Sequence, residues 1–280
     1  MARLATIRTP GGPRAAVMRG DAEAVVLETY GDIGELLRAG ADGAAAVRQA
    51  LVHGDVTAVG ERDLLRPVLA PGAVVCVGMN FRAHILEMGR DLPAKPTLFT
   101  KLSRALTDPF ADVALPRTSD QVDYEGELAI VIGTGGRDIP VERALEHVAG
   151  LTVMNDVSMR DFQRRTLQWF AGKTWQSSTP VGPWIVTPDE LGDLGPRHLT
   201  TTVNGEVRQR APLGDLLFDV PTLVSDLSAI VELEPGDIIA TGTPGGVGEA
   251  MKRFLAPGDV VEVHIDGIGG IRTTFAAASA

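Results

Sequence analysis

The chain has 280 residues, 44% of them hydrophobic and 22% charged, which supports a sizeable core in one large domain, or in a domain with a small companion. Its formal net charge of -10 argues against nucleic acid as a partner, because phosphate binding needs a basic footprint. The single cysteine, Cys76, excludes an intrachain disulfide and a cysteine-based zinc site. No apolar stretch reaches about 18 residues, and MARLATIRTPGGPR lacks the apolar core of a secretory signal, so a reducing cytoplasmic setting and no membrane partner are expected.

Residues 2–30 alternate between apolar and polar and are punctuated by Pro10-Gly11-Gly12 and Arg19-Gly20-Asp21, which predicts a small β-meander. In residues 31–53, Ile33, Leu36, Leu37, Ala44, Val47 and Leu51 recur at helical spacing, predicting one or two helices. Arg66-Pro67 and Ala70-Pro71-Gly72 then read as a turn. They place a boundary near residue 70, between a small N-terminal α+β domain (1–70) and a catalytic domain (71–280). Beyond it, strands are predicted at residues 74–78, 128–132, 151–154, 185–187, 200–203, 238–241 and 260–265. Helices are predicted at 81–88, 141–148 and 223–231. The 32 glycines and 18 prolines fit many turns, and the fold class is mostly β (α+β) with short helices rather than an alternating βαβ pattern. Cys76, inside the apolar run 73–77, reads as a buried small hydrophobe.

Glu125 and Glu127 lie two apart at the start of a predicted strand, so both carboxylates face one side. Two adjacent carboxylates repel, and each holds a proton more tightly unless a cation sits between them. Taken alone the pair also fits a solvated strand face. Asp156, just past the apolar strand 151–154, adds a third carboxylate where a sheet presents site residues, although by itself it also fits a helix N-cap. Three hard oxygen ligands and no soft one point to Mg²⁺ or Mn²⁺ rather than Zn²⁺ or Cu²⁺.

His84 and Glu87 sit three apart on the predicted helix 81–88 and can touch, so the carboxylate can orient an imidazole that accepts a proton near neutral pH. Lys101 and Lys173 each follow aromatic and apolar residues and can enter a pocket as point charges. Arg82, Arg160 and Arg164 are candidates for gripping a carboxylate bidentately. The string Thr241-Gly242-Thr243-Pro244-Gly245-Gly246-Val247-Gly248 lets backbone approach a ligand closely, yet it is neither a Walker loop nor a dinucleotide fingerprint. A tight connection between strands explains it equally well.

Together, VCVGMNFRAHILEMG, DYEGELAIVIG, GLTVMNDVSMRDFQ, GKTW with PVGPWIVT, NGEVRQ and PGDIIATGTPGGVG resemble, in order, the motifs of the fumarylacetoacetate hydrolase superfamily over roughly residues 74–270. The resemblance implies a mixed β-roll, metal ligands at Glu125, Glu127 and Asp156, and His84 with Glu87 as a dyad that activates water. It implies Lys173 as a catalytic lysine. Gln163, Gly242 and Thr243 become substrate contacts, with Arg82 and Lys101 as further substrate-binding candidates. It also implies Mg²⁺ or Mn²⁺, with Ca²⁺ able to stand in for them in crystals, a small 2-oxo acid substrate, and a homodimer. The activity expected first is metal-dependent hydrolysis of a C–C bond in a 2,4-dioxo acid, an acylpyruvate such as fumarylpyruvate from aromatic-compound catabolism, through an enolate held by the metal. The alternatives are decarboxylation or isomerisation of a 2-oxo acid on the same site (oxaloacetate or 2-hydroxyhepta-2,4-diene-1,7-dioate type), and a non-catalytic sugar-acid binding module. Phe81 stands where many members carry Tyr, and Gln176 where many carry Asp.

Overall fold

The structure, a computed structural model, describes residues 3–278. A 12-stranded mixed sheet forms its spine. At its centre the strand Gly126–Ile132 pairs antiparallel with Val148–Asn155 on one side and with Ile238–Ala240 on the other, which is followed in parallel by Val74–Gly78. Every residue of Gly126–Ile132 is buried, as expected of a strand covered on both faces.

The alternation of that strand divides the core. Leu128, Ile130 and Ile132 face a five-stranded sheet and join Leu199, Val261, Val263, Ile271 and Phe275 in one apolar cluster. Ala129 and Val131 face the other way. They join Cys76, Ile185, Ala240, Ile33 and Leu36 in a second cluster beneath the helices Ile33–Arg38 and Ala41–His53. The molecule is thus layered as helices, large sheet and second sheet. Cys76 is fully buried, and that burial pushes its thiol well above the usual range, so it behaves as a packed side chain.

The leading strands Arg3–Thr9, Gly12–Met18 and Glu23–Leu27 form the expected meander from residue 3 onward; residue 2 lies outside the described residues. They do not make a sheet of their own. Arg3 and Leu4 pair with Val186 and Ile185 of the strand Thr179–Val186, so the first residues continue the large sheet. The predicted helix at 141–148 is a 3₁₀ helix, Val141–His147. Pro140 opens it and the strand Val148–Asn155 follows at once, leaving no room for a longer α-helix. Strands Glu206–Pro212 and Gly269–Ala276 belong to the five-stranded sheet and were not predicted. Among the described residues no helix is long and apolar enough to cross a membrane.

Candidate metal and substrate site

Glu125 and Glu127 share the parity of Ala129 and Val131, so both carboxylates turn away from the second sheet. Between them Gly126 lies against that sheet: a Cβ there would sit 2.9 Å from Val263 Cγ1 and closer still to Thr201 Oγ1. The glycine lets the second sheet press from behind while two glutamates project in front. The strand Val148–Asn155 runs alongside, and just past its end the Asp156 amide donates to Glu125 O at 2.8 Å, while Asn155 Oδ1 accepts the Glu125 amide at 2.9 Å. One carboxylate oxygen from each of Glu125, Glu127 and Asp156 lies within 4.8 Å of the others, and all three side chains are buried. Gly126→Ala is expected to destabilise the fold by about 1–3 kcal/mol through overpacking, and to weaken Mn²⁺ binding by displacing both glutamates. Calorimetric titration together with thermal melting checks this.

The protein surrounds the triad with cations. Lys173 Nζ donates to Glu125 Oε2 at 2.5 Å and to Asp156 Oδ2 at 2.7 Å; Lys101 Nζ reaches Asp156 Oδ1 at 2.5 Å. Arg160 pairs with Glu125 Oε1 at 2.6 Å and with Asp123 Oδ2 at 2.8 Å. Burial alone would raise the Asp156 carboxyl, but the ammonium groups of Lys101 and Lys173 outweigh it and hold the group at about 2. Burial likewise disfavours the Lys173 ammonium, yet Asp156 and Glu125 hold its pKa above the ordinary lysine value. Glu127 is the exception. It accepts only the Gly242 amide, at 2.9 Å, and has no ion-pair partner among the described residues. Burial first, then the charges of Asp156 and Glu125, push its carboxyl well above the usual range.

That imbalance is the test of a metal. Three carboxylates face two ammonium groups, and adding Arg160 with its partner Asp123 leaves the same single excess negative charge. The donor set is entirely hard oxygen, suited to a divalent cation of the Mg²⁺ or Mn²⁺ kind. Such an ion would turn the local charge positive and so favour an anionic ligand.

Asp123 ties the triad to the glycine-rich loop. Fully buried, it accepts the amides of Gly248 at 2.7 Å and Glu249 at 2.8 Å in addition to Arg160. Gln209 makes the second link: it accepts the Gly126 amide at 2.9 Å and donates to Thr243 Oγ1 at 2.8 Å and Pro244 O at 2.9 Å. At Gly245 a Cβ would sit 3.0 Å from Glu87 Oε2 and 3.2 Å from His84 Nδ1, so the loop also packs on the helix Arg82–Glu87. His84 Nδ1 and Glu87 Oε2 are 3.9 Å apart, close enough for charge attraction but too far for a hydrogen bond, and Glu87 is largely exposed. Burial lowers the His84 pKa against the opposing pull of Glu87, so the imidazole is neutral at physiological pH.

These groups open onto a cleft of about 540 Å³ lined by His84, Glu125, Glu127, Lys173, Gln163 and Thr243, with Phe99, Trp169, Met79 and Met88 supplying apolar wall. Other expected substrate contacts are employed differently. Arg82 does not line the cleft; its guanidinium is spent on the carbonyls of Gly214, Leu216 and Leu217. Lys101 is buried behind Asp156 and acts on the triad, not on a ligand in the cleft. The Gly242 amide is committed to Glu127, and the Thr243 hydroxyl donates to Gly126 O at 2.9 Å while its oxygen accepts from Gln209. Gln163 lines the cleft while accepting from Arg160 Nη1 at 2.9 Å. Asp123 and Gln209 escaped the sequence reading. Nothing local distinguishes a buried anchoring Asp or Gln from a solvated one; only their place in DYEGE and NGEVRQ could have flagged them.

Comparison with known proteins identifies the family. The family described as fumarylacetoacetate (FAA) hydrolase C-terminal matches residues 73–276. The chain is 41% identical over 242 residues to the mitochondrial oxaloacetate tautomerase FAHD2A of Bos taurus, covering 85% of this chain and 77% of that protein. Among solved structures, the fumarylacetoacetate hydrolase of Exiguobacterium antarcticum superposes with a TM-score of 0.86 at 36% identity over 99% of this chain and 100% of its own. The maleylpyruvate hydrolase of Sphingobium sp. SYK-6, solved with manganese(II) and pyruvate, gives 0.83 at 30% identity over 99% and 100%. Matched along most of its length in both sequence and shape, the chain belongs to the fumarylacetoacetate hydrolase superfamily.

Proposed function

We propose that this protein is an enolising enzyme for a 2-oxo dicarboxylate, interconverting the keto and enol forms of an oxaloacetate-like acid with Mg²⁺ or Mn²⁺ in the acidic triad. The observation that carries this reading is the buried triad with one carboxylate, Glu127, left without a cation, lining the same cleft as a neutral histidine. A divalent ion bound there supplies Lewis acidity toward a 2-oxo group, which makes the neighbouring C–H proton easier to remove. His84 is the group able to carry that proton, from C3 to the 2-oxo oxygen, because its imidazole is unprotonated at neutral pH. In the metal-free protein Glu125 and Asp156 hold Lys173 as an ammonium, which donates hydrogen bonds and balances charge. The bovine relative named as an oxaloacetate tautomerase supports this class of reaction.

Hydrolysis of a 2,4-dioxo acid, the first expectation from sequence, becomes the second reading. It is favoured by the His84–Glu87 pair, which could activate water, and by the likeness to a maleylpyruvate hydrolase. Ultraviolet absorbance of the enol separates the two. Metal-dependent relaxation of oxaloacetate without pyruvate release supports tautomerisation, pyruvate release from an acylpyruvate supports hydrolysis, and binding without turnover supports a binding module.

His84→Ala is expected to retain Mn²⁺ and to lose about 100- to 10,000-fold in turnover, the range for a general acid–base group. Because burial lowers the His84 pKa, the wild-type rate should hold through neutrality and fall only in acid below the ordinary histidine range. A pH–rate profile and metal titration of the variant test both statements.

A further inference from the structure

Four cationic side chains line the cleft: Arg90, Arg160, Lys173 and Lys252. Three are already paired, Arg160 with Asp123 and Glu125, Lys173 with Glu125 and Asp156, and Lys252 with Glu249 at 2.7 Å. Arg90 alone among these four cations has no carboxylate partner among the described residues; its side chain's one hydrogen bond runs from Nη1 to Met79 Sδ at 3.1 Å. A thioether is a weak acceptor, so four of the five guanidinium N–H groups are left for solvent or a ligand.

Its position matters as much as its lack of a partner. Arg90 is exposed whereas Glu125, Glu127 and Lys173 are buried, which puts Arg90 at the mouth and the triad at depth. It follows the helix Arg82–Glu87 after a left-handed turn at Gly89, φ 66°, so the segment carrying His84 also delivers the guanidinium to the cleft. Met79, which lines the cleft and touches Arg90, is itself held at φ 55°, a backbone conformation that non-glycine residues adopt only when their surroundings impose it.

We propose that Arg90 is a specificity residue: it receives the distal carboxylate of a dicarboxylic substrate whose 2-oxo acid end lies at the triad. The assignment rests on the reaction proposed above. A planar guanidinium matches a carboxylate bidentately, and a second anionic group at the mouth separates diacids from monoacids that share the same reacting end.

The test compares oxaloacetate with oxalate, a compact diacid that can occupy the triad end but has no arm to reach the mouth. In the Mn²⁺-loaded enzyme, Arg90→Met should lower kcat/KM for oxaloacetate tautomerisation about 10- to 100-fold, the worth of a charge-assisted hydrogen bond, with the larger part in KM. The inhibition constant of oxalate should stay unchanged. Arg90→Lys, which keeps the charge but not the fork, should lose less. An unchanged KM for oxaloacetate, or a parallel weakening of oxalate, overturns the assignment while leaving the reaction intact. Absence of oxaloacetate turnover in the wild-type enzyme removes the reaction itself and the assignment with it. Since Arg90 is exposed, an unchanged melting temperature should accompany these kinetics.

Discussion

Glu127→Gln should abolish divalent-cation binding and turnover together, and yet leave the metal-free protein more stable than the wild type. The first half follows from the triad: without the third carboxylate the site keeps two anionic oxygen donors against two lysines, and no net negative charge remains to attract an ion. Metal ions contribute several kcal/mol of charge stabilisation, so the loss in turnover should be at least about 1000-fold. The second half follows from the sign of the Glu127 shift. Its carboxyl is raised in the folded state, so the metal-free fold loses stability as pH rises through that value and regains it in acid. Glutamine removes the titrating charge while keeping an oxygen for the Gly242 amide. Calorimetric titration with MnCl₂ should therefore show no binding, and metal-free melting at mildly alkaline pH should be higher than in the wild type. A lower melting temperature would show that Glu127 is already satisfied without a cation.

Lys173→Met acts in the opposite sense. The ammonium bridges Glu125 and Asp156, and its removal leaves Glu125 only Arg160 and Asp156 only Lys101 as cationic partners, with one positive charge missing between them. Breaking a buried pair by deleting one partner costs about 3–5 kcal/mol. A divalent cation can supply much of the missing positive charge: Mn²⁺ at about 100 times its dissociation constant returns about 2.7 kcal/mol. The metal-free variant should melt far below the wild type, and Mn²⁺ should raise its melting temperature by more than it raises the wild type's. Equal shifts in the two proteins would mean that Lys173 does not share the cation's electrostatic role. Part of the loss reflects pH as well. The Asp156 carboxyl at about 2 stabilises the fold above the ordinary aspartate range, and that contribution fades as pH falls toward 2.

Much of this was legible before the fold was seen, for reasons that differ by element. The strand containing Val260–Ile265 shows a clean alternation because one face is buried and the other is not, and its bounds are found as predicted. The helix at Arg82–Glu87 and the triad at Glu125, Glu127 and Asp156 lie in strings that are ambiguous singly, and it was their ordered succession along the chain that pointed to a shared site. Glu206–Pro212 is largely polar, with exposed Glu206 and Val207; its place in the sheet depends on pairing with His198–Val203, which a local pattern does not report. The same limit applies to the site's supports. Arg82 looked like a ligand contact because arginines grip carboxylates, but tertiary packing turned it onto three backbone carbonyls. Asp123 and Gln209 hold the glycine-rich loop through partners between 34 and 126 residues away, and such reach leaves no trace in a short window.

The leading strands carry a lesson for anyone trimming the chain. By joining Arg3 and Leu4 to Val186 and Ile185, the first seventy residues cap the margin of a strand whose side chains are buried throughout. A shortened protein beginning near residue 71 would present that margin bare, with open amide and carbonyl groups next to apolar side chains, ready to pair with any neighbouring copy. The opening segment is in this sense a guard against self-association: it can diverge widely in sequence so long as its backbone keeps that seam closed.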